Sequence, residues 1–217
     1  MIGVYGGTFN PIHYGHLRTA LEVKGLFNLD QLRLIPCRQP PHRNQPEVSG
    51  QMRLEMLRLA IDGVAGFIAD SRELEREGPS YMVDTLKSLR QEMPDQSIIL
   101  FIGADAFLGL EKWHCWQQLF DYAHLVVMTR PNFSLQPESE FFRQRLVGQR
   151  EMLATKLAGY LFFQAVTPLD ISATQIRQII ATDGNPQFLL PDAVLAFIRQ
   201  HQLYQAAPLN DRILNAN

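Results

Sequence analysis

Met1-Ile2-Gly3-Val4-Tyr5-Gly6-Gly7-Thr8-Phe9-Asn10-Pro11-Ile12-His13-Tyr14-Gly15-His16 opens the chain as a short apolar strand, a glycine turn and two histidines. Paired glycines after a strand let a ligand approach the backbone, because a Cβ would block the way and restrict φ. Residues 17–27 then carry Leu17, Ala20, Leu21, Val23 and Leu26 near helical spacing. Strand, glycine loop and helix in that order aim backbone N–H groups and a helix N-terminus at one spot, which favours an anion such as phosphate. The stretch is not a Walker loop, since no Gly-Lys-Ser/Thr follows at the required spacing, and Gly3, Gly6 and Gly7 do not fit the dinucleotide fingerprint.

Outward from this stretch, strands are expected at 32–36, 67–70, 97–102, 124–128 and 161–166. Helices are expected at 51–62, with Ser49 as cap, and at 80–91, 113–120, 140–153, from 171 and from 191. The alternation predicts an α/β fold: a doubly wound, Rossmann-like parallel sheet with helices on both faces, and a small helical part from about 171 onward. Residues 97–102 are the most apolar run, as in a central strand covered on both faces. Gly103-Ala104-Asp105 then sits at its carboxyl end, where open α/β sheets bind ligands.

With 217 residues, 46% of them apolar, the chain suits a single domain over 1–217. Twenty basic against 22 acidic residues, net charge −2, make no electrostatic case for nucleic acid or an anionic membrane. Cys37 and Cys115 form no metal or disulfide pattern and read as ordinary buried thiols. No secretory leader or run long enough to span a bilayer is present in the sequence. The expectation is a soluble protein of the cytoplasm.

His13 and His16, three apart at a helix start, can reach one pocket. A surface or core role and a metal site are the alternatives. A metal needs further ligands, and no local Cys, Asp or Glu supplies them. With Gly6, Gly7 and Thr8 just upstream, phosphate contact is the best of the three readings. In Ile171-Ser172-Ala173-Thr174-Gln175-Ile176-Arg177, Ser172 can cap a helix, Thr174 lies in its first turn and Arg177 offers a planar fork to phosphate oxygens. Taken alone, that segment is a capped helix.

The run 6–16 resembles the GGTF(D/N)PxHxGH signature of nucleotidyltransferases with a histidine-x-glycine-histidine motif, and 171–177 is similar to their second signature, ISSTxIR. Beyond these, Pro40-Pro41-His42-Arg43, Gly78-Pro79-Ser80-Tyr81 with Asp84-Thr85-Leu86, Ile102-Gly103-Ala104-Asp105, Lys112-Trp113, Arg130-Pro131 and the terminal Leu190-Pro191 to Leu203-Tyr204 resemble the bacterial nicotinate-nucleotide adenylyltransferases. Phosphopantetheine adenylyltransferases lack the Pro-Pro-His-Arg/Lys and Ser-Tyr segments, and class I aminoacyl-tRNA synthetases are much longer.

The resemblance implies an enzyme of NAD biosynthesis that joins ATP to nicotinate mononucleotide, releasing pyrophosphate, with Mg²⁺ carried by ATP and not by a dedicated protein site. It implies catalytic roles for His16, His13 and Arg177. The ATP contacts it implies are Gly6, Gly7, Thr8, Phe9, His13, His16, Gly103, Asp105, Ile171, Ser172, Thr174 and Arg177. For the acceptor it implies His42, Arg43, Tyr81, Met82, Thr85, Trp113 and Arg130. Partners are then the two nucleotides, with a homo-oligomer left open. Three residues depart from the family pattern: Asn10 for the commoner aspartate, Met82 for threonine, and His114 for tyrosine. Thr85, one helical turn on, is the expected substitute for the missing hydroxyl. A nicotinamide mononucleotide acceptor and a non-catalytic nucleotide-binding module are the competing readings.

Overall fold

The computed structural model describes residues 1–39, 46–131 and 139–205. Strands β1 (Ile2–Gly7), β2 (Gln31–Pro36), β3 (Phe67–Ala69), β4 (Ile98–Gly103), β5 (His124–Thr129) and β6 (Leu161–Ala165) form one sheet in the order β3-β2-β1-β4-β5-β6. Every neighbouring pair is parallel. The helices are α1 (Tyr14–Leu26), α2 (Gly50–Ile61), α3 (Arg72–Glu75), α4 (Met82–Glu92), α5 (Ala104–Leu108), α6 (Leu119–Tyr122), α7 (Glu140–Arg143), α8 (Ala173–Ala181) and α9 (Asp192–Gln200).

A parallel sheet must be covered on both faces, and β4 shows how the sequence does it. Successive strand side chains point to opposite faces. Ile99 and Phe101 enter a cluster with Ala20 and Val23 of α1, Met56 and Leu57 of α2, Ile176 of α8 and Ile198 of α9. Ile98, Leu100 and Ile102 enter the opposite cluster with Leu86 of α4, Phe107 of α5, Phe120 of α6 and Phe142 of α7. The doubly wound α/β fold expected from the alternation is therefore present. The strand order reverses between β1 and β4, which opens a crevice beyond their carboxyl ends, Gly7 and Gly103.

Two expected helices are corrected. Over 113–120 the chain makes a 3₁₀ turn (Trp116–Gln118) before the four-residue α6, and Cys115 takes a left-handed conformation, φ +50°, that no continuous helix admits. Packing decides this: Trp116 and Phe120 each set an edge against Phe141, with ring centroids 4.9 and 5.4 Å apart. Over 140–153 only α7 and a 3₁₀ turn (Arg150–Ala154) are helical. Between them Leu161 donates its N–H to the Arg145 carbonyl and Val147 donates to Leu161, so this segment satisfies the open edge of β6 instead. Helices α3 and α5 have no counterpart in the sequence reading, and α1 starts three residues earlier than expected. Neither cysteine is a buried thiol: Cys37 is half-buried and Cys115 exposed. Among the described residues no helix is long and apolar enough to cross a membrane.

Candidate active site

At the carboxyl ends of β1, β4 and β5 lies a cleft of about 950 Å³. Its walls bring together Gly7, Thr8, Phe9, His13, His16, Gly103, Asp105, Arg130, Ile171, Ser172, Thr174 and Arg177. Chain segments far apart in sequence meet here: the Arg177 guanidinium donates to the Asn10 carbonyl at 2.8 Å.

The loop after β1 is braced from within. Phe9 is 1% exposed and has φ +46°, a left-handed conformation that costs a non-glycine residue about 1 kcal/mol or more. A Cβ on Gly7 would lie 2.8 Å from the Phe9 ring, and one on Gly6 would lie 2.6 Å from Met82 Cε. The space that a Cβ would take at both glycines is thus filled by the protein's own side chains, while Gly7 still lines the cleft. Gly103, also on the cleft wall, has nothing within 4 Å of a built Cβ, so there the missing side chain leaves room. At the start of α1, Tyr14 N–H donates to the Leu189 carbonyl, and His16 and Leu17 donate to the His13 carbonyl, so these three groups are already engaged.

What faces the cleft from α1 is therefore imidazole. His13 is the N-cap and His16 lies in the first turn, with the rings stacked at 3.7 Å between centroids. Phe9 sets its edge against His16 at 5.2 Å. Burial pushes His13 down to about 4; burial, and then the charge of His13, push His16 down to about 3. Both rings are neutral near pH 7. Among the described residues Nδ1 of each is buried without a hydrogen-bond partner, an arrangement that folded proteins avoid unless a ligand or a catalytic task uses it.

The opposite wall comes from α8. Ser172 Oγ caps the helix by accepting from Gln175 N–H at 3.1 Å, and Arg177 also reaches Thr174 Oγ1 at 3.3 Å. Gly103, not Asp105, is the N-cap of α5, and the Asp105 carboxylate stands exposed in its first turn. Arg130 follows β5 and is exposed.

Of the acceptor candidates, Arg130 lines this cleft, whereas Tyr81, Met82, Thr85 and Trp113 are not on its walls, and His42 and Arg43 fall outside the described residues. Tyr81, half-buried at the start of α4, packs its ring on His114 with centroids 4.3 Å apart. Trp113 is half-buried against the cluster that holds Phe107 and Leu110. Thr85 is corrected: it is 0% exposed and its hydroxyl donates to Glu73 Oε1 at 2.6 Å, so it supports α4 and offers an acceptor nothing. Burial raises the Glu73 carboxyl, against the lowering effect of its bonds with Thr85 and Ser80.

Two residues to which the sequence reading gave no role at the site are Tyr204, whose hydroxyl donates to Asn10 Oδ1 at 2.6 Å, and Arg53, which is 1% exposed. A signal for Arg53 was available, since it sits three and four residues before Met56 and Leu57 on the apolar face of α2. For Tyr204 the resemblance of the terminal segment was the signal. Among the described residues no group of three or more His, Cys, Asp or Glu side chains is placed to hold a metal ion. The cleft offers the carboxylates of Asp105 and Glu47, hard oxygen donors of the kind Mg²⁺ takes alongside waters and phosphate oxygens. That donor set fits a Mg²⁺ held chiefly by a bound triphosphate.

Residues 4–179 match the cytidylyltransferase-like family. The chain is 48% identical over 209 residues to a Pseudomonas putida (strain GB-1) protein named "Probable nicotinate-nucleotide adenylyltransferase", covering 94% of this chain and 95% of that one. It is 47% identical over 208 residues to a protein of the same name from Methylococcus capsulatus, covering 94% and 99%. Among solved structures, a Plasmodium falciparum nicotinic acid mononucleotide adenylyltransferase complexed with NaAD superimposes with a TM-score of 0.70 at 17% identity, over 94% of this chain and 96% of that one. At that identity the likeness speaks for the fold.

Proposed function

The chain belongs to the cytidylyltransferase-like family, and from that premise we propose that it transfers the adenylyl group of ATP to nicotinate mononucleotide, giving nicotinate adenine dinucleotide and pyrophosphate in NAD biosynthesis. Relatives close to half identical over nearly the whole chain carry this activity in their names. The observation that carries the reading is the meeting of two neutral, stacked histidines, His13 buried and His16 half-buried, with the Ser172 to Arg177 segment across one cleft.

In this mechanism a phosphate oxygen of nicotinate mononucleotide attacks the α-phosphorus of ATP in line. The bond from that phosphorus to the bridging oxygen breaks, and pyrophosphate leaves with the electron pair. The nucleophile is already an anion, so no covalent enzyme intermediate and no general base are needed. What remains is to align two polyanions and stabilise the charge that develops between them. His16, with His13 and Thr8 beside it, donates to the α-phosphate. Being neutral, each imidazole has one N–H to give, and it gives it without the cost of first burying a charge. Arg177 and the Ser172 hydroxyl hold the departing phosphates, with Thr174 and Ile171 at the nucleotide's flank. Asp105 accepts from a ribose hydroxyl beside the open face of Gly103. Tyr81 and Trp113 flank the pyridine ring, and Arg130, with His42 and Arg43, takes phosphate. A Mg²⁺ carried by ATP would be held chiefly by the triphosphate oxygens and would supply neutralising charge to the leaving pyrophosphate. The cytoplasm, where both nucleotides are available, is the expected site of action.

The test is pyrophosphate release with ATP, Mg²⁺ and each mononucleotide separately. Release with nicotinate mononucleotide and little with the nicotinamide form is the expected result. No release with either would sink the reading, and a preference for the nicotinamide form would reassign the acceptor.

A further inference from the structure

Arg53 has no place in the reaction as described above, yet among the described residues no other Arg, Lys, Asp or Glu is so completely enclosed: it is 1% exposed within the apolar face of α2. A buried cation ordinarily needs a carboxylate partner. Among the described residues Arg53 has no ion pair with a carboxylate; backbone carbonyls hold its guanidinium, with the Cys37 side chain as a further neighbour. Nε donates to Val48 at 3.2 Å, Nη1 to Thr8 at 2.6 Å, and Nη2 to Cys37 at 2.7 Å, with Arg38 more distant at 3.5 Å.

These carbonyls belong to the two stretches that serve the two substrates. Thr8 is on the donor loop, one residue before the left-handed Phe9. That loop is held on its far side by Arg177, which takes the Asn10 carbonyl. Cys37 and Arg38 follow β2 and are tied to the acceptor side: Ser80 Oγ accepts from the N–H groups of Arg38 at 2.8 Å and Gln39 at 3.4 Å, and Ser80 N–H donates to the Gln39 carbonyl. Ser80 immediately precedes Tyr81. One rigid fork therefore spans the gap between the donor loop and the segment that leads to the acceptor platform. Hydrogen bonds of β1 to β2 end at Cys37 N–H on the Gly7 carbonyl, so beyond that point the guanidinium continues the connection that the sheet no longer makes.

We propose that Arg53 is a positioning residue that clamps the donor loop to the acceptor segment and so sets the distance between the two reacting phosphates. It touches neither nucleotide. The inference rests on the adenylyl-transfer reading of this cleft. Its geometry supplies two separable parts, a fork that fixes two carbonyls at once and a fixed positive charge behind the phosphate loop. Lysine keeps the charge on a flexible stem with no fork, and methionine keeps the stem with neither.

The experiment is steady-state kinetics of wild type, Arg53→Lys and Arg53→Met with ATP and nicotinate mononucleotide varied in turn, alongside thermal unfolding. A small misplacement of reacting groups costs on the order of a hundredfold in rate. Arg53→Lys is thus expected to lower kcat about ten- to a hundredfold while leaving both KM values within about threefold. Arg53→Met is expected to lose kcat at least as far and in addition to raise KM for ATP, from loss of the charge. A folded Arg53→Lys with wild-type kcat and only a lower Tm would make Arg53 a structural residue and overturn the clamp. So would a loss confined to KM, and so would failure of both variants to fold. If wild type itself releases no pyrophosphate with nicotinate mononucleotide, it is the adenylyl-transfer reading that fails; an active wild type beside an indifferent Arg53→Lys fails only the clamp.

Discussion

The donor side of the cleft and the acceptor side beside it are held in place by different means. Donor groups occupy strand ends and helix starts: Thr8 after β1, His13 and His16 at the head of α1, Ser172 at the cap of α8. Their spacing along the chain is fixed by local geometry, so a short stretch of sequence already determines what stands next to what. Acceptor candidates occupy turns and a packed aromatic surface, where Tyr81 meets His114 and Trp113 leans on a hydrophobic cluster built from α4, α5 and α7. Their spacing depends on how distant elements pack. Within each of its two segments the donor side is set by local geometry, and its residues range from buried His13 to exposed Ser172; the acceptor side is set by tertiary packing.

That difference explains what the sequence made legible. The sheet, its central strand and both signature segments follow from periodicity, caps and glycine placement, all of which act over a few residues. Ser49 and Ser172 cap helices as read from the sequence alone, accepting from Met52 and Gln175. The helices expected over 113–120 and 140–153 failed because packing of Trp116 and Phe120 and the open edge of β6 overrode helix propensity. The neighbour of Gly6 was not legible either: Met82 lies over it, and no local rule couples those two positions. Met82 itself replaces the threonine of the family pattern, and the hydroxyl expected from Thr85 is spent on Glu73.

If the donor side acts through fixed donors at the transferred phosphorus, the largest effect in the molecule belongs to His16. His16→Ala is expected to lower kcat by about a hundred- to a thousandfold, the cost of removing one preorganised donor. Binding of a non-hydrolysable ATP analogue, followed by calorimetry, should weaken only a few-fold. An equal loss in both would move His16 from the transition state to ground-state binding.

Burial of the two imidazoles also gives the donor side a pH signature. The unfolded chain binds a proton at each histidine near pH 6.5, whereas folded His13 resists until about 4 and His16 until about 3. Between those limits the unfolded state holds more protons, so stability present above pH 6.5 is lost as the pH falls. For His13 alone the loss is on the order of 3 kcal/mol. His13→Gln should flatten the decline of the urea midpoint between pH 6.5 and 4. A slope unchanged by the substitution would mean that the ring is not held neutral in the fold.

On the acceptor side the expected effects are smaller and fall on one substrate. Trp113→Ala should raise KM for nicotinate mononucleotide by up to about tenfold, the upper end of the roughly 0.5–1.5 kcal/mol that an aromatic pair contributes beyond its burial. KM for ATP should stay where it is. A shift in both constants would show that the two sides are not as separate as their construction suggests.

The smallest effect tests the boundary between holding the acceptor side together and touching the acceptor. Thr85→Val keeps the volume of the side chain but deletes the hydroxyl that donates to Glu73 and lies 3.3 Å from Arg76 Nη2. Glu73 keeps Ser80 as a hydrogen-bonding neighbour, so the buried carboxyl is left partly, not wholly, unsatisfied. Loss of one such bond costs about 1 kcal/mol of stability, measurable as a lower urea midpoint. Because Thr85 is fully enclosed, KM for nicotinate mononucleotide should move less than about twofold, a range that a hydrogen bond to a bound substrate, at about 0.5–1.5 kcal/mol, would exceed. A large rise in that KM with unchanged stability would return Thr85 to the acceptor. It would also mean that α4 shifts on binding to bring the hydroxyl out, making the acceptor side mobile where the donor side is rigid.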